Sequence, residues 1–404
     1  MLLVLQAVVS YRSVPAILRL FHCHTSLSLT WQPHFTSVIN WVLRLGLGLL
    51  NQVKPLDVPW LAIIDHSIDI GTKKVLVVLR VRLDRWSGAL QRRDCECIGL
   101  QVSETVNGAS ICDALTPIFK QAGCPVGIIK DGDATLNKGV RLYQQQQTVP
   151  VENIEDISHV VANALKKQYQ ASEPYQAFVS WSSRVAKKLR QTTDAFLIPP
   201  KLRKKGRFMS IGHLANWGRK VSESLDRLRV EAGTRLAGIL SGVEPHLPFI
   251  QTFAETAHGV SGLMQLLKNQ GLNTETATGC QQIIDKLPNL VLKTTLNSWL
   301  DKHQGIQRRL GVDALPVSSD VIESLFGSFK YIMNRNPQAD MNRSVLLIPA
   351  LCGSAHLNEA RITTLLASTP HALLQAWEQE NIPYTLRKKR QAIWPPKQPK
   401  TGET

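Results

Sequence analysis

Two neighbouring segments between residues 59 and 84 carry runs of bulky apolar residues. The first run, Trp60–Ile64, ends in Asp65, and the second run, Val75–Leu83, is rich in Val and Leu. Two apolar runs joined by a segment that contains Gly71 predict a β-hairpin. Because the first run is apolar on both faces, it predicts a central, buried strand. A carboxylate at the end of such a strand either caps a turn or needs a partner such as a metal ion.

The segment that follows the hairpin alternates between strand and helix patterns. Cys95–Val102 predicts a third strand, Ser110–Gln121 has helical spacing, and Val126–Lys130 predicts a short strand that runs into Asp131. Three strands, a helix and a fourth strand are the order of a ribonuclease-H-like α/β fold, a mixed sheet with flanking helices. In that order the first and fourth strands are neighbours, so Asp65 and Asp131 are expected to lie close together.

Shifts in pattern divide the chain into five predicted regions. Residues 1–54 form a helical segment, residues 171–315 an all-α insertion, and residues 381–404 a basic, Pro-rich tail that is expected to be disordered. The catalytic core is expected in two parts, residues 55–170 and residues 316–380. The first region is short for a complete DNA-binding module, which leaves a truncated copy open.

The helical pattern at the start of the chain predicts a helix-turn-helix. One helix begins at Ser13, and after a break Thr36 or Ser37 can cap a second helix. Two short helices in a basic protein are typical of DNA binding, although any two packed helices give the same pattern. Ser37, Asn40 and Arg44 share the polar face of the second helix and are predicted to meet DNA.

Charge narrows the class of partner. The 47 Lys and Arg residues exceed the 31 Asp and Glu residues and give a net charge of +16. This excess favours a polyanionic partner, and nucleic acid before a membrane surface. The alternative is a protein that is generically basic and has no such partner. Five of the cations lie without an acid in Pro199–Arg207, which is either a solvated loop or a strip that contacts DNA phosphates. The residues predicted to make those contacts are Arg203, Lys204, Lys205 and Arg207.

The seven cysteines are scattered and form no C-x-x-C pair, which predicts free thiols in a reducing compartment. The segment His22-Cys23-His24 lacks a second ligand pair at zinc spacing and is expected to be structural. No segment has the pattern of a membrane span or of a cleavable leader. A cytoplasmic, nucleoid-associated location without a membrane partner is therefore expected.

A third acid lies near the end of the chain. Pro316–Asp320 predicts a capped helix start, and Glu323 follows in a mostly apolar turn, which is unusual for a solvated Glu. Lys330 is seven residues further on and lies on the same helix face. Two acids on adjacent strand ends and a third on a later helix can hold two Mg²⁺ or Mn²⁺ ions.

At this point the chain resembles the DDE-type transposases of bacterial insertion sequences. The resemblance covers most of residues 1–170 and 315–350 and rests on four motifs in order: AIIDHSIDIG, VGIIKDGDATLNKGV, EDISHVVANALKK and VSSDVIESLFGSFK. It implies Asp65, Asp131 and Glu323 as the catalytic, metal-binding triad. It also implies cleavage and strand transfer of double-stranded DNA, at element ends and at a target, by a homo-oligomer assembled on that DNA.

The resemblance assigns supporting roles and leaves alternatives. Asp156 and His159 match a D-x-x-H segment of such families, and Lys330 matches the basic residue that follows the final Glu. The long interval before Glu323 fits subfamilies with a helical insertion. A repurposed, inactive DNA-binding protein of the same fold and a nuclease without strand transfer stay open. Rival ligands are Asp69, Asp133, Asp156 and Asp320.

Overall fold

The protein is described here from a computed structural model. The structure describes all residues except 27, 30, 55–57, 71–72, 203–207, 209–210, 232, 241, 334–340 and 395–404. Two compact units divide the chain. The first unit comprises Met1–Trp86, Leu90–Asn153 and Ser319–Thr404, and the second comprises Ser87–Ala89 and Ile154–Ser318. The second unit therefore begins before residue 171, where the sequence predicts the start of the helical insertion.

The first four strands of the sheet have the order that the sequence predicts. Its described strands are β1 (Trp60–Ile70), β2 (Lys73–Arg82), β3 (Cys95–Ser103), β4 (Gly127–Lys130) and β5 (Glu152–Glu155). They are ordered β3-β2-β1-β4-β5. β1 pairs antiparallel with β2 and parallel with β4, and β2 pairs antiparallel with β3. This mixed sheet with flanking helices confirms the α/β, ribonuclease-H-like fold class.

The helices are numbered here in chain order. In the first unit they begin with α1 (Leu2–Leu5), α2 (Ser13–His24), α3 (Phe35–Leu50), α4 (Gly108–Ala122) and α5 (Ala134–Gln145). The second unit holds α6 (Ile157–Tyr169), α7 (Glu173–Leu189), α8 (Ile211–Glu223), α9 (Leu225–Glu231), α10 (Gly233–Leu240), α11 (Leu247–Gln270), α12 (Thr274–Lys286) and α13 (Leu290–Leu310). The first unit resumes with α14 (Asp320–Met333), α15 (Leu347–Gly353), α16 (Glu359–Ser368), α17 (His371–Asn381) and α18 (Leu386–Ile393).

One face of the sheet packs against α4 and α5. Alternate residues of a strand point to the same face, so Trp60, Ala62 and Ile64 of β1 all enter this cluster. Phe119 of α4 meets Trp60 edge to face, with ring centroids 5.7 Å apart. Burial of aromatic and branched side chains in this layer contributes to the hydrophobic stabilisation of the sheet.

The opposite face of β1 is covered as well. Leu61 and Ile63 are fully buried but take no part in the cluster with α4 and α5. α14 packs against β1 and α15, and α15 packs against β3 and α3. β1 is therefore buried on both faces, as its continuous apolar run predicts.

The second unit contains a buried histidine that links β5 to α13. His303 is fully buried, accepts a hydrogen bond from the Glu155 N–H at Nε2 (3.0 Å) and lies 2.7 Å from the Trp299 carbonyl through Nδ1. Burial lowers the pKa of His303 to about 4, so the ring is neutral near pH 7. A neutral ring has one donor and one acceptor, which suits these two partners.

Two local expectations differ from the structure. β5 was not expected, because a four-residue strand with acids at both ends carries no apolar run. The tail, expected to be disordered, is helical over Leu386–Ile393, where residues with good helix propensity precede the prolines. Among the described residues, no helix combines the length and the apolar character that crossing a bilayer requires.

The close approach of α4 and α5 gives a test of this packing. A Cβ on Gly139 would lie 2.5 Å from Ile111 Cγ2 and 3.0 Å from the Gly108 carbonyl oxygen. We expect Gly139→Ala to destabilise the protein by about 1–3 kcal/mol through overpacking. The matched control is Gly327→Ala in α14, where a Cβ meets nothing within 4 Å and better helix propensity should stabilise by about 0.5–1 kcal/mol. Urea unfolding followed by circular dichroism measures both, and a stabilising Gly139→Ala would contradict the packing.

Candidate active site

The parallel pairing of β1 with β4 positions the two strand-end aspartates. The pairing runs through Ile63 and Ile129, and the same offset carried two residues further sets Asp65 opposite Asp131. Neighbouring strands lie about 4.8 Å apart, so both carboxylates belong to the same edge of the sheet. Asp65 also shares the face of Ile63, away from the cluster with α4 and α5.

Asp65 lies where the sheet becomes irregular. β1 pairs regularly with β2 up to Asp65 and Val77, and the register then shifts before Ile68. The side chain of Asp65 is only 8% exposed. Bulges often re-aim side chains beside functional sites. A carboxylate this deeply buried is retained at a cost in desolvation, which is the property expected of a ligand or catalytic acid rather than of a solvated residue.

The loop after β4 is held by two successive carboxylates. Asp131 Oδ1 accepts a hydrogen bond from the Asp133 N–H (3.0 Å). Asp133 Oδ1 then caps α5 by accepting from the N–H groups of Thr135 (2.8 Å) and Leu136 (3.0 Å). The sequence Lys-Asp-Gly-Asp thus folds as a turn followed by a helix N-cap. The turn fixes the position of Asp131 relative to the rigid start of α5.

A histidine from β1 contacts the same loop. His66 Nε2 lies 3.3 Å from Asp133 Oδ1, and the His66 side chain is 13% exposed. Burial pushes the pKa of the Asp133 carboxyl upward. Hydrogen bonds from Leu136 and Thr135 and the nearness of His66 outweigh that effect and leave the pKa below its usual value. Asp133, a rival ligand in the sequence, is therefore an ionised helix cap that ties α5 to β1.

The third predicted acid lies on the exposed side of α14. Val321, Ile322, Leu325 and Phe326 are buried, as the apolar pattern of the helix predicts. Glu323 is exposed between these positions.

The α14 helix is fixed to the sheet by a clamp. Arg92, in the 3₁₀ turn before β3, donates from one terminal nitrogen to Ser324 Oγ (3.2 Å) and Ser328 Oγ (2.7 Å). Lys330, predicted to support the site, is half-buried in the last turn of the helix.

The donor set fits a divalent ion only in part. Paired carboxylate oxygens from Asp65 and Asp131 are hard ligands of the kind that Mg²⁺ and Mn²⁺ prefer. Within the described part of the chain, however, no group of three or more His, Cys, Asp or Glu side chains is close enough to hold a metal ion. Glu323 is thus not gathered with the aspartate pair into a three-ligand group, and its metal-binding role stays a prediction.

Two of the residues predicted to support the site, Asp156 and His159, belong to the second unit. Asp156 is 1% exposed and caps α6 by accepting hydrogen bonds from the N–H groups of Ser158 (2.6 Å) and His159 (3.1 Å). The spacing of three between Asp156 and His159 therefore reflects a helix start. Their supporting role in catalysis stays a prediction.

The predicted DNA-reading face of α3 is occupied by the protein itself. Arg44 donates from Nε to the Thr369 carbonyl (2.7 Å) and from a terminal nitrogen to the Leu366 carbonyl (2.5 Å). Asn40 Oδ1 accepts from Arg343 at 3.3 Å. These contacts account for both residues without DNA.

The helix-turn-helix prediction gains no support from α3. Ser37 is half-buried, and the helix cap is His34, which accepts from the Thr36 N–H, rather than Thr36 or Ser37.

Some predicted residues lie outside the described part of the chain. They are Arg203, Lys204, Lys205 and Arg207 and, for its side chain, Asp69. Another rival ligand, Asp320, lies in the first turn of α14 and is half-buried. Sequence reasoning missed His66 and Arg92. For His66 the available signal was its position directly after Asp65 in β1, whereas Arg92 lies in a charged turn, Arg92–Asp94, that gave no signal.

Comparison with known proteins finds similarity among solved structures. No protein-family model matches the chain, and no curated protein matches it. A structure of the Drosophila P element transposase strand transfer complex is similar, with 12% sequence identity, a TM-score of 0.40, and coverage of 82% of this chain and 87% of that chain.

The capping role of Asp133 can be separated from any role in binding a metal. Asp133→Ala removes two N-cap hydrogen bonds and the contact with His66, and should lower the free energy of unfolding by about 1 kcal/mol. Asp133→Asn keeps an oxygen that can cap α5 and should lower the free energy of unfolding by only about a few tenths of a kcal/mol. Urea unfolding at neutral pH measures both variants. An equal loss for Asn and Ala would show that the carboxylate charge, and not the cap, is what the fold uses.

Proposed function

We propose that this protein is a DNA transposase that cleaves and joins DNA strands at the ends of a mobile element, with Asp65 and Asp131 as the central carboxylates. The observation that carries the proposal is the parallel register of β1 and β4 in a ribonuclease-H-like sheet. From this register we infer that the two strand-end acids lie side by side. The net charge of +16 supports a nucleic-acid substrate.

Each residue of the site has a proposed task. The main-chain pairing of β1 and β4 keeps the Asp65 and Asp131 carboxylates at one edge, and the bond from the Asp133 N–H leaves Asp131 Oδ2 free of hydrogen bonds to described residues. Glu323 is the proposed third carboxylate, carried by a helix that the Arg92 clamp holds against the sheet. Bound Mg²⁺ or Mn²⁺ would supply an oxygen nucleophile of lowered pKa and would stabilise the leaving oxygen.

DNA contacts are proposed for the cationic run Arg203, Lys204, Lys205 and Arg207. An acid-free run in a basic chain matches the electrostatic footprint of backbone binding, which is insensitive to sequence. Asp156, His159 and Lys330 are proposed to support the site rather than to move protons, because a metal-bound oxygen needs no separate base. Assembly of a homo-oligomer on double-stranded DNA and an origin in a bacterial insertion sequence are proposals that rest on the sequence resemblance.

One observation favours a second candidate function. Glu323 is exposed, and the described residues contain no three-ligand metal group. A DNA-binding protein that has kept the fold but lost the chemistry would show this arrangement. It would bind DNA and leave the strands intact whatever metal is added.

Single substitutions at the three acids distinguish these functions. The substrate is a DNA that carries the sequences flanking the gene, and the readout is strand cleavage with Mg²⁺ or Mn²⁺. Asp65→Asn, Asp131→Asn and Glu323→Gln should each reduce cleavage by at least about a hundredfold while DNA binding is unchanged. The matched controls are Asp133→Asn and Asp320→Asn. Asp133 lies beside Asp131 and Asp320 lies in the same helix as Glu323, and both variants should keep most of the activity.

Three outcomes would contradict the proposal in different ways. Wild-type protein that binds the DNA but never cuts it would identify the inactive, DNA-binding alternative. Cleavage without joining of the cut ends to a target would identify a nuclease. Full activity in Glu323→Gln with loss of activity in Asp320→Asn would move the third ligand to the first turn of α14.

A further inference from the structure

A cationic cavity lies within the first unit, away from the aspartate pair. Its volume is about 320 Å³, and β2, β3 and the ends of α3 and α15 contribute to its wall. Arg82 in that wall pairs with Trp60 at the start of β1, five residues before Asp65, or about 16 Å along the strand. The cationic lining residues are Lys54, Arg80, Arg82, Arg85, Arg93 and Arg361.

Local acids offset only part of this charge. The cavity wall contains two acids, Asp94 and Glu96. Asp94 Oδ2 accepts a hydrogen bond from the Gln91 N–H (2.8 Å), and Glu96 Oε2 lies 3.7 Å from Arg80 Nη1. Arg82 forms an ion pair with Asp84 (2.6 Å), a residue that does not line the cavity. The wall therefore keeps an excess of positive charge that an anion would neutralise.

A lysine ammonium in the wall has too few partners. Lys54 is 8% exposed, and among the described residues its Nζ donates one long hydrogen bond, to the Leu49 carbonyl at 3.5 Å. An ammonium has three donors, and burial without acceptors is costly. Burial lowers the pKa of Lys54, while Glu96 acts in the opposite direction. An acceptor placed in the cavity would relieve this cost.

Arg361, also in the wall, has a side-chain nitrogen that lacks a hydrogen-bond partner among the residues that the structure describes. Arg361 donates from its terminal nitrogens to Gln52 Oε1 (2.9 Å) and the His356 carbonyl (3.4 Å). Its Nε atom is buried and has no hydrogen-bond partner in the described part of the chain. Lys54 and Arg361 come from opposite ends of the sequence, yet both line this one cavity.

We propose that this cavity binds a phosphate dianion, carried either by inorganic phosphate or by the terminal monophosphate of a DNA strand. Phosphate offers several acceptor oxygens and two negative charges, which match a wall rich in guanidinium and ammonium groups. The volume is at the lower end of ligand pockets and suits a phosphate group rather than a large organic ligand. The site does not depend on the proposed transposase chemistry.

Phosphate binding to the full chain tests the site. Inorganic phosphate is titrated at constant ionic strength by calorimetry and by thermal unfolding, which a bound ligand shifts upward. Lys54→Met and Arg361→Gln should each raise the dissociation constant by at least about tenfold, because each removes a hydrogen bond to a charged group. The control Lys167→Met, an exposed residue of α6 in the second unit, should bind like the wild type.

Stability without phosphate shows whether a variant is interpretable. Lys54→Met replaces a buried charge by an apolar side chain. The thermal unfolding midpoint of this variant without phosphate should therefore be equal to or above that of the wild type. Arg361→Gln gives an independent reading if Lys54→Met does not fold. Absence of phosphate binding by the wild type, or equal binding by both variants and the wild type, would overturn the proposal.

Two oligonucleotides of one sequence, with and without a 5′-phosphate, identify the source of the phosphate. Displacement of inorganic phosphate by the phosphorylated strand alone would support a strand terminus as the ligand. Displacement by neither strand would support free phosphate. Equal displacement by both strands would mean that the cavity binds phosphodiesters, and the dianion site would be overturned.

Discussion

The parallel pairing of β1 with β4 is the constraint on which the rest of the first unit depends. It places a strand with apolar residues on both faces in the middle of the sheet, so that helices must cover both sides. Continued by two residues, its register also brings Asp65 opposite Asp131 at the end of the apolar runs. A slip of one residue would turn Asp65 into the hydrophobic cluster of α4 and α5, where an ionised carboxylate would be very costly. The same register therefore serves the core and the candidate site.

Polar groups at the edge of the sheet convert this register into fixed geometry. Asp133 caps α5 and contacts His66, and Arg92 holds α14 through two serine hydroxyls. Each tie joins a helix to the sheet or to its connections, so α5 and α14 are located by directional bonds in addition to apolar burial. At the other end of β1, cations collect around a cavity instead. The first unit thus separates an acidic edge from a basic cavity.

The apolar runs predicted most strands of the sheet correctly. The partners of polar side chains were predicted poorly. The run Trp60–Ile64 and the strand before Asp131 each specify a strand by themselves, so the order of the first four strands could be predicted. β5 could not, because its four residues pair without an apolar signal. The prediction for α3 illustrates the second limit. Its helical spacing was clear, but only the fold shows that Arg44 donates to a carbonyl in the last turn of α16 and to the Thr369 carbonyl just after it. Lys54 and Arg361 lie too far apart in sequence for their shared cavity to be foreseen.

The central claim is that Asp65 and Asp131 together bind a divalent ion at the edge of the sheet. Iron-mediated cleavage of the protein tests it directly: Fe²⁺ replaces Mg²⁺, ascorbate and peroxide generate hydroxyl radicals at the bound ion, and mass spectrometry locates the cut peptide bonds. The account predicts cuts close to residues 65 and 131, suppressed by excess Mg²⁺ and absent from Asp65→Asn, with a further cut near residue 323 if Glu323 is a ligand. Cuts confined to other segments, or cuts that persist unchanged in Asp65→Asn, would contradict it.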